Sequence, residues 1–400
     1  MIRERSILAL VSGEFISSLG SQMTALALPW FVLVTTGSPT RMGFVFAAEL
    51  VPVVLLGVHA GVVVERLGPR SAMLLSDAAR VPVVALVPLL YEVGGLSYAL
   101  ILLVAALHGL LSTVYFTCQR IVIPAVVGTD EQRVGQANTL VEGATNLTNF
   151  AGPALAGVLI GLMGAVNVMW IDAGSYVVSF LLIGLLVRVA GEVHKPGESG
   201  GVWAGVAYLR KDKLIGRVSL SSLVYGFLFP ILVASFPVLA FRQYNHNPRV
   251  AGLLLSAFGG GAVVGAVAAY KILGRLAPMT LATIGILGLS GPLWLLVPHT
   301  PLAVVVAALA VSGFFQPLIN APYLGMLTTR VPRALQPKVM QAVITANRVA
   351  APLGYAVAGP LIVGLGLHSV YAIVAALAAL AAVNFIRAVT RPEALVQEAA

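Results

Sequence analysis

Ala151-Gly152-Pro153-Ala154-Leu155-Ala156-Gly157 in the first half of the chain returns as Ala358-Gly359-Pro360-Leu361-Ile362-Val363-Gly364 in the second, 207 positions later. Gln136-Ala137, ahead of the first copy, returns as Gln341-Ala342 at an offset of 205. Each copy lies in a long apolar run. One short match would be chance, but two in corresponding runs point to a duplicated unit.

The runs themselves extend the pattern. Apolar stretches occupy 8–36, 43–64, 71–91, 96–119, 134–162 and 166–188, then 213–241, 249–272, 277–297, 300–328, 338–364 and 367–388. Each can cross about 30 Å of hydrocarbon at about 1.5 Å per helical residue. In lipid the backbone must satisfy its own hydrogen bonds, so runs this long are helices. The expected fold is therefore an all-α membrane protein of twelve transmembrane helices in two six-helix bundles, 1–189 and 213–400, joined by a polar linker over 190–212. Inverted and parallel repeats of this kind are the usual architecture of secondary transporters, with the substrate site where the repeats meet.

Composition agrees. Of 400 residues, 59% are hydrophobic and 10% charged, and mean hydropathy is +0.96. A soluble fold of this size could not hide so much apolar surface. A soluble enzyme, a disordered chain and a disulfide scaffold are excluded; Cys118 is the single cysteine. The net charge of +9 does not indicate nucleic acid, because the basic residues sit between the apolar runs. Met1-Ile2-Arg3-Glu4-Arg5 looks like the basic start of a signal peptide, but its apolar run is too long and the first span is expected to be retained. Arg41, Arg242 and Arg249 fall on one side of the spans, Arg80 and Arg348 fall inside them, and the other 19 of the 24 Lys and Arg fall on the side of the N-terminus. This bias places both termini and the linker in the cytoplasm.

Ionisable side chains inside spans cost about 2.5–3.5 kcal/mol each on insertion scales and need a reason. The clearest are Glu14, Glu49, Asp77, Arg80, Glu142, Asp172 and Arg348. Helical spacing groups polar residues into inward faces: Glu14, Ser18 and Gln22; His108, Ser112, Tyr115 and Gln119; Asn138, Glu142, Asn146 and Asn149; Ser312, Gln316, Asn320 and Tyr323; Gln341, Thr345 and Arg348. Such faces either hydrogen-bond helix to helix or line a wet cavity. The cavity candidates are Ser18, Gln22, His108, Tyr115, Asn146, Gln316, Asn320 and Arg348. A carboxyl group removed from water favours its neutral form. Glu14, Glu142, Glu49 and Asp172, at different depths, are the candidates for carrying protons. Arg348 falls where the repeat places Glu142 and calls for a carboxylate or an anionic ligand. Asp77 and Arg80, three apart, can pair on one face and read as structural or gating residues. No metal-ligand spacing, cofactor motif or nucleophile–base pair occurs, so neither a metal, a cofactor nor an enzymatic activity is expected. The Gly259-Gly260-Gly261 run lacks a preceding strand and is not a nucleotide-binding turn, and no phosphate-binding GxxxxGK[ST] loop occurs.

Between spans 2 and 3 the chain reads Gly61-Val62-Val63-Val64-Glu65-Arg66-Leu67-Gly68-Pro69-Arg70. This resembles the G-x-x-x-D-R-x-G-R-R signature of the major facilitator superfamily, with Glu65 in place of Asp and Pro69 interrupting the basic end. Gly152-Pro153-Ala154-Leu155-Ala156-Gly157 resembles the G-P-x-x-G-G motif of the drug/proton antiporters, with Ala156 for one glycine. Asp77-Ala78-Ala79-Arg80 and Ala27-Leu28-Pro29-Trp30 resemble the branch of macrolide and enterobactin exporters. The resemblance implies that Gly61, Glu65, Arg66, Gly68 and Arg70 hold one bundle against the other, and that Gly152, Pro153 and Gly157 limit leakage and favour export. It implies export of amphipathic, drug-like molecules in exchange for protons by alternating access, from the bacterial cytoplasmic membrane, by a monomer embedded in the bilayer. A narrow exporter of one metabolite, such as a siderophore or antibiotic, and an importer are the alternatives.

Overall fold

The computed structural model describes residues 2–128, 130–187, 202–272, 275–333 and 335–390; the side chains of 2–4, 56–66, 120, 131 and 202 are not described. Thirteen α-helices follow one another: α1 (Ile2–Thr36), α2 (Pro39–Leu67), α3 (Pro69–Glu92), α4 (Tyr98–Val127), α5 (Glu131–Met163), α6 (Ala165–Leu186), α7 (Val202–Lys211), α8 (Lys213–Gln243), α9 (Pro248–Ile272), α10 (Pro278–Ser290), α11 (Leu302–Arg330), α12 (Gln336–Leu365) and α13 (Leu367–Val389). Eleven, counting α10 with the 3₁₀ turn Gly291–Leu296 that continues it, are long and apolar enough to cross a membrane. With α2, a 29-residue helix, the described residues provide the twelve expected spans.

Helix ends follow local chemistry. Ser97 caps α4 by accepting from the Leu100 N–H, and Asp130 caps α5 by accepting from the Arg133 N–H at 3.0 Å. A single glycine separates α5 from α6 and another separates α12 from α13. Gly164 has φ +86° and Gly366 φ +81°, a conformation that a Cβ disfavours. These two turns occupy equivalent places in the two halves. Charge was a poor guide to helix ends: α4 runs past Arg120 to Val127, because a charged residue interrupts hydropathy without interrupting the helix, which stops at Gly128. Pro292, with no N–H to donate, turns the end of α10 into a 3₁₀ turn.

The chain forms two compact units. One gathers α1–α6 with Pro237–Ser256, the end of α8 and the start of α9; the other gathers α7, the rest of α8 and α9, and α10–α13. In the first, α1 packs on α5 and α6, α3 on α4 and α6, and α2 on α4. Leu10, Met73, Cys118, Val122 and Ile183 form its apolar centre. In the second, α10 packs on α11 and α13, and α12 on α13. These are the counterparts of α3 on α4 and α6, and of α5 on α6, so the packing repeats as the sequence does. Ser221 and Tyr225 donate to the Ala381 and Ala378 carbonyls, tying α8 to α13. Helix α7 lies in the stretch expected as a polar linker. It packs on α12, with Tyr208 and Leu209 in the second unit's core. Residues 190–201 of that linker lie outside the described residues.

Candidate functional site

In the first unit the polar side chains gather inside the helices. Asp77 forms an ion pair with Arg80 one turn on, and Ser179 of α6 donates to its other oxygen at 2.7 Å. Arg80 is 1% exposed. Its Cζ lies 4.5 Å from the Tyr115 ring centroid and 4.2 Å from that of Tyr176. A cation sandwiched between two rings and bonded to a carboxylate escapes most of the cost of leaving water. Asp77 and Arg80 thus pair as their spacing predicted.

Beside them, His108 of α4 lies between Glu49 of α2 (3.1 Å to Nδ1) and Tyr176 of α6 (2.8 Å to Nε2). The Tyr176 hydroxyl also meets Ser21 at 2.8 Å and Asp172 at 3.3 Å. Glu14 is fully buried on α1. Thr145 approaches its Oε1 at 3.5 Å, and its Oε2 has no hydrogen-bond partner among the described residues. Ser18 bonds Thr148 at 2.9 Å, joining α1 to α5. Ser18, His108 and Tyr115, expected to line a cavity, are instead enclosed within the unit at 5%, 3% and 1% exposure. Spacing identifies the face they share but not the neighbour that covers it; α6 supplies that cover with Tyr176 and Ser179. Tyr176 follows Asp172 by one helical turn, and that spacing was the signal that would have found it.

Along α5, Asn138, Glu142, Asn146 and Asn149 are exposed as one polar stripe, and Gln22 of α1 bonds Asn149. Glu142 therefore stands open where Glu14 is sealed. Gly152 packs on Gln22. Gly157 faces the start of α9, where a Cβ would lie 2.7 Å from the Pro248 carbonyl oxygen and 3.1 Å from Gly252 Cα. The Gly-Pro motif is thus a flat place on α5 against which α9 closes. Between α2 and α3, Gly68 adopts φ +76°, and Arg70, in the first turn of α3, donates to the Gly184 carbonyl of α6 at 2.6 Å. Gly61, Glu65 and Arg66 lie in α2, and their side chains fall outside the described residues.

The second unit holds a cavity of about 270 Å³ between α8, α9, α10, α11, α12 and α13. Gln316 and Asn320 line it with Tyr225, Phe229, Phe258, Tyr323 and Asn347. Tyr323 bonds Ser219 at 2.9 Å. No charged side chain or histidine is among its lining residues. Arg348 is exposed and forms no ion pair among the described residues, so of the two neutralising groups expected for it, a carboxylate or an anionic ligand, the carboxylate is not seen. Its neighbour Asn347, one position off the polar stripe of α12, takes the place in the cavity.

The sequence profile of the Major Facilitator Superfamily matches residues 10–298 and, in an overlapping second match, 218–400. The multidrug efflux pump Tap of Mycolicibacterium fortuitum is 27% identical over 379 residues, which are 91% of either chain. Tap of Mycobacterium tuberculosis (strain ATCC 25618 / H37Rv) is 28% identical over 368 residues, 88% of this chain and 86% of its own. The crystal structure of the nucleoside transporter NupG superposes with a TM-score of 0.75 over 96% of this chain and 99% of NupG, at 14% identity, a likeness of fold. Repeated six-helix halves, the signature loop and these matches together place this multi-pass membrane protein in its family: the chain belongs to the major facilitator superfamily.

Proposed function

We propose that this protein exports amphipathic small molecules across the bacterial cytoplasmic membrane by proton antiport with alternating access. The cavity of the second unit carries the reading. Its walls are aromatic and aliphatic, and its polar groups are amides and hydroxyls without formal charge. Such a lining binds drug-sized molecules through apolar burial and orients them with a few hydrogen bonds. The efflux activity in the name of Tap supports the direction.

The bundles are taken as 1–189 and 213–400, with the termini and the linker in the cytoplasm, as the Lys and Arg bias indicates. Glu14, Glu142, Glu49 and Asp172 are the proton-carrying groups in this reading, and Gln22, Asn146 and Arg348 are substrate-facing groups. One proton entering down an inside-negative potential of 100 mV supplies about 2.3 kcal/mol. That sustains a gradient of about fifty-fold for a neutral substrate.

The test is accumulation of ethidium and Nile red in efflux-deficient bacteria expressing the chain, with and without a protonophore. Lower accumulation that the protonophore abolishes is expected. Raised accumulation reverses the direction. Unchanged accumulation of both dyes in cells with well-inserted protein removes the multidrug reading and favours a narrow exporter of one metabolite.

A further inference from the structure

A single line of hydrogen bonds crosses three helices of the first unit. It runs from Glu49 Oε1 to His108 Nδ1 (3.1 Å), from His108 Nε2 to Tyr176 Oη (2.8 Å), and from Tyr176 Oη to Asp172 Oδ2 (3.3 Å). Its two ends differ in access. The Glu49 side chain is 24% exposed and His108 4%, whereas Tyr176 and Asp172 are sealed at 0%. A Cβ on Gly109 would overlap the Glu49 carbonyl, so glycine at 109 is what lets α2 come close enough to α4 for the first link.

We propose that this line is a proton wire: His108 and Tyr176 pass protons between the half-open Glu49 and the sealed Asp172. The proposal deepens the proton-antiport reading, on which its physiological role rests, by naming the route.

Hydrogen counting supports it. Tyr176 has one hydroxyl hydrogen and three polar neighbours: His108, Asp172 and Ser21. Ser21 gives its own hydrogen to the Ser17 carbonyl at 2.8 Å, so it receives one from Tyr176. Tyr176 must then accept from His108 Nε2–H and from a protonated Asp172. With Asp172 ionised, a second complete arrangement exists. Tyr176 donates to Asp172, and Ser21 turns from the Ser17 carbonyl to Tyr176. The same heavy atoms therefore serve both protonation states of Asp172, and no helix has to move to change between them.

The transfer balances. The Glu49 O–H bond breaks and its proton joins His108 Nδ1. The proton on His108 Nε2 passes to Tyr176 Oη as the Tyr176 proton passes to Asp172 Oδ2. Glu49 ends as carboxylate, Asp172 as neutral acid, Tyr176 with one hydroxyl proton as before, and His108 as its Nδ1–H tautomer; the reverse transfer, from Asp172 through Tyr176 to Nε2 and from Nδ1 to Glu49, restores the Nε2–H form. The Arg80 guanidinium over the Tyr176 ring offsets negative charge that develops on the phenol oxygen during the transfer. Asp77 beside Arg80, Tyr115 on its other face and the buried Glu14, which interacts electrostatically with Arg80 and Asp77, are the neighbouring charged and titratable groups.

The test is time-resolved infrared spectroscopy of the full chain in lipid nanodiscs after a pH jump. The Asp172 carboxyl band is identified by its loss in Asp172→Asn. Tyr176→Phe and His108→Gln are each expected to slow the rise of that band at least tenfold while the Glu49 band responds as before. An unchanged rise in either folded variant overturns the wire. Where both fail to fold, Glu49→Gln, at a half-open position, gives the same reading: a tenfold slower rise supports the wire and an unchanged one overturns it. Ethidium transport driven by an imposed pH gradient in proteoliposomes separates the two ideas. A working wire without pH-driven ethidium transport keeps the wire and counts against proton antiport of that dye. PH-driven transport with an unchanged band in the variants does the reverse.

Discussion

The Arg80 guanidinium lies 4.2 Å over the ring of Tyr176, so a full positive charge inside a membrane helix is held by an aromatic face as well as by Asp77. Removing one member leaves the other buried and uncompensated. Arg80→Met is expected to destabilise the protein by about 3–5 kcal/mol, because Asp77 then lacks its cation. The double variant Asp77→Asn with Arg80→Met should recover much of that loss. Thermal unfolding in detergent of the two single variants and the double variant checks this; additive losses would show that the pair is not the unit of stability.

Gly157 and Gly252 bring α5 and α9 to near contact. Gly157→Leu should abolish dye efflux almost completely, whereas Gly157→Ala, which adds one methyl group 2.7 Å from the Pro248 carbonyl, should reduce it by a few-fold. Accumulation assays at matched expression, with size-exclusion profiles as the folding check, measure both. Full efflux by Gly157→Leu would show that the close approach is not used in the transport cycle.

In the second unit, Asn347 and Asn320 offer amides, beside that of Gln316, to a cavity walled mainly by aromatic and aliphatic side chains. Replacing either with Leu should weaken ethidium or Nile red binding by about tenfold where the dye bonds that amide, equivalent to about 1.4 kcal/mol. It should leave thermal stability nearly unchanged. Fluorescence titration of the purified protein gives the dissociation constants. Unaltered values for both dyes in both variants would place the binding determinants elsewhere.

Glu14 and Glu142 were equally plausible proton carriers by sequence, and the structure separates them by burial. Glu14→Gln should be neutral or stabilising, since a buried carboxyl with one oxygen lacking a hydrogen-bond partner among the described residues is replaced by a neutral amide of the same shape. Glu142→Gln, at an exposed position, should leave stability unchanged. Retention of full proton-coupled transport by Glu142→Gln would exclude it as the obligatory carrier, and the same result for Glu14→Gln would exclude Glu14.

The number and order of the spans could be read directly, with ends within several residues, because lipid leaves the backbone few options and hydropathy reports them. Helix ends were less legible where a charge sat within a helix, as at Arg120, or where a proline changed the winding, as at Pro292. Helix α7 was hidden by its small length and mixed composition. For the polar groups, periodicity identified faces correctly, as with Gln316 and Asn320, but could not decide between an interior and an opening. His108 and Arg348 show both sides of this. The histidine, read as a cavity candidate, is enclosed and bonded at both nitrogens, and the arginine, read as buried, is exposed. Periodicity operates within one helix, whereas Tyr176 acquires its partners from α1, α4 and its own helix at once.

The cavity of the second unit is walled by residues between Val218 and Phe385 and has no ionisable carboxylate, lysine, arginine or histidine among them. The buried carboxylates and the enclosed arginine lie in α1–α6. Mutation can therefore reshape this cavity without touching the residues whose charges must balance. A lineage under changing chemical attack would be expected to collect its tolerated, range-shifting substitutions in the later stretch of the gene, while the earlier stretch stays under stricter selection.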